Sequence, residues 1–354
     1  MHKILAINPG STSTKVGIFF DREKQSEITL RHSAEELAKY ESLSEQFDFR
    51  KDLIVQALAE NNFDLSEFSA ISCRGGLVKA IPSGTYEVNE SVVYDSKNSP
   101  VDHPSNLAAL IGNELAKQFN LRAFITDPPS TFEGEEVSTI SGNPVFRRHL
   151  RFHALNHKAI AKLYCEEHNL DYTKQNLVVA HIGGGVSVGI HKQGVVVDVN
   201  DALDEGPFSP ERSGSVPVFQ LAEICFSGKY THAEVKKLLR GNAGINAYLG
   251  TNDVRDVIKM IDEDNNEKAK LIYDAFIYQI SKEIGAMSVN VNGKVDAIIL
   301  TGGVAYNKGL TDKIEERVGF IAPVYVYPGE MELEALTYGA LNVINGVEEA
   351  KIYE

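Results

Sequence analysis

Hydrophobic positions along this chain fall into two patterns. Short β-rich runs are bounded by glycine and small polar residues, and longer stretches repeat their apolar positions at helical spacing. The first run, Ile4 to Ile7, meets the turn Asn8-Pro9-Gly10-Ser11-Thr12-Ser13-Thr14 and is followed by Val16-Gly17-Ile18-Phe19. This predicts a hairpin whose tip is crowded with hydroxyls and backbone N–H groups. Such a tip suits an anion, because small residues let the backbone approach and each amide or hydroxyl donates a hydrogen bond. It is also what a plain turn between strands looks like. Residues 177–190, LVVAHIGGGVSVGI, repeat the arrangement around Gly183-Gly184-Gly185, and Val188-Gly189-Ile190 aligns with Val16-Gly17-Ile18. Two glycine-rich hairpins half a chain apart point to a duplicated domain rather than a short-period solenoid. A third apolar strand, DAIILTGG at 296–303, runs into Gly302-Gly303 and predicts a turn opening a helix whose N-terminus faces a ligand.

The polar stretch 33–61 predicts helix, with Leu37, Leu53, Ile54 and Leu58 turned inward. Residues 69–73 predict a strand leading into Arg74-Gly75-Gly76, and 81–104 predict turns ending in Asp102-His103-Pro104. An amphipathic helix over about 105–119 carries Leu107, Leu110, Ile111 and Leu115 on one face. The strand Ala123–Thr126 ends at Asp127-Pro128-Pro129, where the carboxylate either contacts a metal or substrate or merely begins a turn. Residues 146–158, FRRHLRFHALNHK, form the most basic stretch. A solvated helix start is the ordinary reading of such a run; the other is that Arg147, Arg148, Arg151, His153 and His157 include a subset facing a cleft. The Pro/Gly-rich loop 201–217 has Arg212 near its end, and loops of that length inside a domain are often functional. Further helices are predicted at about 217–226, 231–240, 252–262, 266–291 and 332–347. In the long one, Leu271, Ile272, Ala275, Phe276, Ile280 and Ile284 are spaced for burial, as core or as a dimer interface.

Composition narrows the function classes. With 354 residues the chain is long enough for two domains with a sizeable core in each. A net charge of −14 argues against a nucleic-acid surface, so any site for an anionic substrate must be positive locally. Cys73, Cys165 and Cys225 are isolated, which fits buried thiols in a reducing cytoplasm better than a disulfide frame or a zinc site. No apolar run reaches membrane-spanning length, so the expectation is a cytoplasmic chain with no membrane or nucleic-acid partner. Neither G-x-x-x-x-G-K-[ST] nor a strand-following G-x-G-x-x-G is present, which removes Walker-type and dinucleotide-fingerprint proteins.

The ordered set INPGSTSTKVGIF, CRGG (73–76), FHALNH (152–157), HIGGGVSVG (181–189), ERSGSVP (211–217), NDVRD (252–256), LTGG (300–303) and YPGE (327–330) resembles the acetokinase family. That family belongs to the acetate and sugar kinase, chaperone ATPase and actin superfamily, and the chain is most similar to its butyrate kinase branch. The resemblance covers nearly the whole chain. It implies an α/β fold of two similar domains, each a mixed five-stranded-type sheet flanked by helices, ribonuclease H-like and actin-like, with a cleft between them. The expected bounds are 1–150, with a C-terminal helix at about 332–354 packing back on it, and 151–331 as the nucleotide-binding domain. The implied activity is reversible, direct in-line transfer of the γ-phosphoryl group of ATP to the carboxylate of a short-chain fatty acid, giving acyl phosphate and ADP. Acetate or propionate kinase is the enzyme alternative, and an actin- or chaperone-type ATP-driven protein is the alternative outside enzymes.

The carboxylate is already ionised at pH 7, so no enzyme nucleophile or strong base is needed; the task is to bring two anions together and spread the transferring charge. Arginine suits it, being permanently charged and able to grip carboxylate or phosphate with two N–H groups. By resemblance, Arg212 steadies the phosphoryl group, His153 donates to the transition state, Asp127 lies near the metal and Arg74 clamps the substrate carboxylate. Asn8, Ser11, Ser13 and Lys15 match the first phosphate loop, Gly183, Gly184 and Gly185 the second, and Asp253, Arg255, Gly302 and Gly303 the adenosine site. Asn8 and Glu330, with Glu332 as a weaker candidate, are the implied Mg²⁺ contacts, and His103 is a further candidate without a role. Phe152, Pro207, Phe208 and Leu77 are candidates to line a longer acyl chain, and a homodimer or higher homo-oligomer is expected.

Overall fold

The two glycine-tipped hairpins form the centres of two sheets in the computed structural model, which describes residues 1–100 and 103–354; Asp102 lies outside the described residues. The chain divides into unit 1 (Met1–Phe132, Ala154–Ala159 and Met331–Glu354) and unit 2 (Glu133–His153 and Ile160–Glu330). Unit 1 contains β1 (Lys3–Pro9), β2 (Ser13–Phe20), β3 (Glu23–Arg31), β4 (Ala70–Cys73), β5 (Thr85–Glu87) and β6 (Arg122–Thr126). They form a six-stranded sheet in the order β3-β2-β1-β4-β6-β5. The first three strands are an antiparallel meander, β4 and β6 continue parallel to β1, and β5 returns antiparallel.

Unit 2 repeats the plan with β7 (Asn176–Ile182), β8 (Val186–Lys192), β9 (Val195–Val199), β10 (Ala297–Gly302) and β11 (Val324–Pro328), in the order β11-β10-β7-β8-β9. Again an antiparallel meander comes first and two parallel strands follow. The likeness extends to irregularities. The β2–β3 register shifts between Ile18 and Phe19, and the β8–β9 register shifts between Ile190 and His191, at positions the hairpin alignment makes equivalent.

Period-two burial explains why β1 reads as a continuous apolar run. Leu5 and Ile7 join a cluster with Ile71, Cys73, Leu107 and Ile111, while Ala6 packs with Leu333 and Leu336, and Ile4 with Phe124 and Leu341. A strand covered on both faces shows no polar alternation. Helix Ser105–Phe119 covers the first face and helix Glu332–Ile344 the second. Gly112 permits the first approach, since a Cβ there would lie 2.2 Å from Cys73 Sγ. In unit 2 the helix Glu267–Ser288 buries Ile272, Phe276, Ile277, Ile280 and Ile284 in the core with Val188 and Ile190.

Several local expectations change: Cys73 and Cys165 are buried, but Cys225 is exposed, on the helix Val218–Phe226 that buries none of its residues. Leu271 is 67% exposed, because the buried stripe of its helix runs through Ile272 instead. The 33–61 region is not one helix: it holds the short Ala34–Leu37 turn, closed by a Ser33/Glu36 capping box, and the helix Phe47–Glu60. Strand β3, EKQSEITLR, carries too many polar residues to be recognised from hydrophobicity, and its charges suit a sheet edge. The turn-rich stretch 81–104 contains β5 and a helix, Glu90–Lys97.

Leu336 is fully buried between helix Glu332–Ile344 and the sheet of unit 1. Leu336→Ala is expected to lower stability by about 2–5 kcal/mol, the usual cost of such a cavity, measured by urea denaturation followed by circular dichroism.

Candidate active site

In unit 1 three parallel neighbours, β1, β4 and β6, deliver Asn8, Arg74 and Asp127 at their carboxyl ends. Open α/β sheets characteristically bind ligands there. Arg74 N donates to Ile7 O at 2.9 Å, which sets Arg74 beside Asn8. Arg74 Nη1 donates to Glu332 Oε2 at 2.8 Å and to Asn8 Oδ1 at 3.3 Å, and Asn8 Nδ2 donates to the same Glu332 oxygen at 2.5 Å. Nε of Arg74 is buried without a hydrogen-bond partner, and Nη2 makes none among the described residues. These two atoms form the side-on fork of the guanidinium, the geometry that accepts a carboxylate in two parallel hydrogen bonds. Gly75 allows the strand end to close up, since a Cβ there would stand 2.7 Å from Pro128 Cβ. Asp127 is 4% exposed and sits at φ 39°, an uncommon left-handed conformation held by Ser83 Oγ (2.6 Å) and Gly84 N (2.8 Å) donating to its Oδ1. His103 accepts from Ser105 N at 3.2 Å at the start of helix Ser105–Phe119.

The loop Gly10–Ser13 is closed by Gly10 N donating to Ser13 O at 2.7 Å. Ser11 and Thr12 are exposed at its tip, and Lys15 lies directly across from Asn8 in the β1–β2 register, hence on the same face. Beneath the loop lies Arg50, fully buried, whose Nη1 donates to Gly10 O at 2.8 Å and whose Nη2 donates to Ser11 O at 3.1 Å. His32 bonds Thr14 Oγ1 through Nε2 at 2.9 Å. Burial, and then the neighbouring Arg50 charge, push the His32 pKa down to about 4.

In unit 2 the tip Gly183-Gly184-Gly185 sits between His181 and Arg212. A Cβ on Gly183 would lie 3.0 Å from His181 Nε2, and one on Gly185 would lie 2.3 Å from Arg212 Nη1. Arg212 Nη1 donates to Ala202 O at 3.0 Å, Ser209 Oγ donates to Gly184 O at 2.7 Å, and Arg212 N donates back to Ser209 Oγ at 3.1 Å. Gly214 turns this loop at φ 60°, where a Cβ would be 2.5 Å from Gly206 O. His153, just before helix Ala154–Glu167, stacks on His181 with centroids 3.8 Å apart and planes 11° apart, and its Nδ1 bonds Ser187 Oγ at 2.8 Å. The basic stretch is largely spent elsewhere: Arg148 pairs with Glu205 and Asp198, and Arg151 with Asp201 and Asp204.

A cavity of about 750 Å³ in unit 2, a size usual for small-molecule sites, is lined by Gly183, Gly184, Asp253, Arg255, Gly303 and Glu330. Pro210, Val254, Ile258, Val304 and Tyr306 supply apolar wall. Asp253 caps helix Val254–Asp262 through Arg255 N at 2.9 Å, and its hydrogen bonds with Arg255 hold its carboxyl down at about 2. Gly302, at φ 92°, lets β10 meet β7, since a Cβ would be 2.4 Å from Ile182 O. Glu330 Oε1 lies 3.6 Å from His181 Nε2. Among the acyl-lining candidates, Phe208 is committed to the core, 5.6 Å from the Phe276 ring, Phe152 is 7% exposed, and Leu77 is anchored by its N–H to Asn106 Oδ1 at 2.8 Å.

Residues 142–320 match the family model described as the acetokinase family. "Butyrate kinase 1" of Clostridium acetobutylicum is 51% identical over 356 residues, covering 100% of each chain. The chain belongs to the acetokinase family. The crystal structure of Porphyromonas gingivalis acetate kinase superposes with a TM-score of 0.81 at 20% identity, covering 98% of this chain and 100% of that one. A propionate kinase from Francisella tularensis gives 0.76 at 19% identity, covering 95% and 98%. Those two likenesses bear on the fold, which is the two-domain actin-like α/β fold. Acetokinase motifs contain most of the candidate site residues, and Arg50, His32, Gln46 and His181 were not among those singled out. His181 stands in HIGGG and was legible there; Arg50, His32 and Gln46 sit in polar segments with no motif.

His32 binds its proton less readily folded than unfolded, so the unfolded chain takes up more protons between pH about 6.5 and about 4. Its contribution to stability is complete above that window and is lost as pH falls through it. The thermal midpoint of wild type is expected to drop more steeply from pH 6.5 to 4 than that of His32→Gln, measured by calorimetry in matched buffers.

Proposed function

We propose that this protein is an ATP-dependent kinase that phosphorylates the carboxylate of a short-chain fatty acid, with butanoate as the substrate, and that it runs reversibly between acid plus ATP and acyl phosphate plus ADP. The observation that carries the acid assignment is the unengaged Nε/Nη2 fork of Arg74, a carboxylate-shaped grip at the end of β4. The names of the full-length relatives support the four-carbon choice. Glu332 holds the opposite edge of Arg74 and so fixes the fork's direction without occupying it.

The nucleotide occupies the cavity of unit 2. Its base lies against Val254, Ile258, Val304 and Tyr306, Asp253 and Arg255 face the adenosine, and the N–H groups of Gly183 to Gly185 take phosphate oxygens. Arg212 steadies the transferring phosphoryl group, His153 donates to its oxygens with its ring held flat against His181, and Ser11, Ser13 and Lys15 supply the first phosphate loop. Asp127 orders the metal side of the site. No group of three or more His, Cys, Asp or Glu side chains among the described residues is placed to hold a metal. Mg²⁺ with nucleotides needs only one or two carboxylates, the rest being phosphate oxygens and water, and Glu330, 39% exposed and lining the cavity, fits that demand. Glu330 would hold the ion, and bound Mg²⁺ would neutralise charge on the phosphates.

A homo-oligomer is part of the same proposal. Helix Val218–Phe226, VFQLAEICF, buries none of its residues and leaves Val218 71%, Phe219 85% and Phe226 90% exposed. An apolar helix so bare suits a second copy of the chain. Phe219→Asp is expected to shift the protein to a smaller species in light scattering after size exclusion; an unchanged mass would exclude this face.

Hydroxamate trapping with ATP, Mg²⁺ and a series of acids tests the reaction. Butanoate is expected to give strong product and acetate little, with graded intermediate acids because each buried methylene is worth only about 0.8 kcal/mol. Preference for acetate or propionate would move the protein to those kinases, and product with no acid would leave a nucleotide-binding scaffold. Arg212→Ala is expected to lower kcat about 10²–10³-fold, the usual loss for one stabilising donor, with ATP affinity kept. Arg74→Ala should instead raise KM for the acid more than it lowers kcat.

A further inference from the structure

Arg50 lies on helix Phe47–Glu60, outside every motif, and is among the largest fully buried side chains. Its hydrogen bonds are complete. Nε and Nη2 donate to Gln46 Oε1 at 3.0 and 2.9 Å, and Nη2 also to Ser11 O at 3.1 Å. Nη1 donates to Gly10 O at 2.8 Å, Thr14 Oγ1 at 3.2 Å and Ser13 O at 3.4 Å. Every one of these acceptors is neutral. Among the described residues no carboxylate pairs with Arg50, whereas Arg148 and Arg151, only partly buried, each hold two. A guanidinium cannot shed its proton, and a buried charge without a counter-charge is costly.

The direction of the bonds gives the reason. Carbonyls of Gly10 and Ser11 point in at the guanidinium. In a planar trans peptide the N–H of the following residue points the opposite way. The amides of Ser11 and Thr12 therefore face away from Arg50, at the exposed tip of the loop. His32, bonded to Thr14, adds no negative charge on this side. The tip thus offers outward N–H groups with a fixed cation behind them, and such an arrangement is complete only when an anion sits on the amides.

We propose that Arg50 is the positioning residue of the first phosphate loop: it locks the tip with its amides outward, and the phosphoryl group held there is its counter-charge. This rests on the reading of residues 8–15 as a phosphate loop.

Gln46→Glu tests it in the full-length protein. The change keeps the acceptor oxygen that Arg50 already uses and adds a permanent counter-charge at 2.9–3.0 Å. Calorimetric titration with MgATP and with inorganic phosphate, beside adenosine as an uncharged control, is the readout. The expected result is an about tenfold loss of affinity for both anions, the scale of one screened charge at short range, with adenosine binding unchanged and the ligand-free melting temperature equal or higher. Wild-type affinity for both anions in Gln46→Glu would overturn the proposal, as would a fall in the ligand-free melting temperature, which would mean that Arg50 was not short of negative charge. Arg50→Met serves as the second variant and should lose anion affinity while keeping adenosine. A wild type that phosphorylates no acid yet shows the Gln46→Glu effect would refute the kinase reading alone. An active kinase without that effect would refute the Arg50 inference alone.

Discussion

Parallel pairing of β1, β4 and β6 is the constraint on which the substrate side of the proposed site depends. Because these strands run the same way, their last residues emerge at the same edge of the sheet, where Arg74 bonds Asn8 and Asp127 follows the next strand but one from β1. Unit 2 uses the same device: β7, β10 and β11 end together at the 183–185 tip, at Gly302-Gly303 and at Gly329-Glu330. Each hairpin tip also has an arginine against it, Arg50 under the first and Arg212 beside the second. The two tips are alike in build and differ in the side chains around them.

Charge explains how an acidic chain can hold anions. With a net charge of −14, carboxylates are plentiful and many cations meet one, as Arg122, Arg148, Arg151 and Arg240 do. Among the described residues Arg50 and Arg212 have only neutral hydrogen-bond acceptors, and burial lowers the pKa of both, since desolvation opposes their charge. A guanidinium nonetheless stays protonated at neutral pH. At these two points positive charge is thus kept with no carboxylate bonded to the guanidinium among the described residues.

The fold was legible where burial on both sides made strands apolar, as in β1, β7 and β10, and where turns were written in glycine. It was illegible where a strand was an edge: β3 looks like solvated chain because its outer positions are charged. The candidate site was legible as motifs, Arg74 in CRGG and Arg212 in ERSG. Arg50 was not, because a buried arginine on a polar helix has the same sequence appearance as an exposed one. Only the absence of a counter-charge distinguishes it, and that is a fact about space. Arg148 and Arg151 show the reverse case, basic residues that looked functional and turned out to be tied to the acidic loop 198–205.

The last 24 residues belong to unit 1, and Glu332 among them bonds Asn8 across 324 positions of chain. A nascent chain leaves the ribosome from its N-terminus, at some 5–20 residues per second. Strands β1 to β6 are therefore made long before the helix that covers Ile4, Ala6 and Phe124, and one apolar face of the first sheet waits through the synthesis of all of unit 2. During that interval Arg74 lacks the carboxylate that aims it. The helix thus closes that face in the same step that brings Glu332 to Arg74, so a variant lacking the helix keeps a bare apolar face and an unaimed guanidinium.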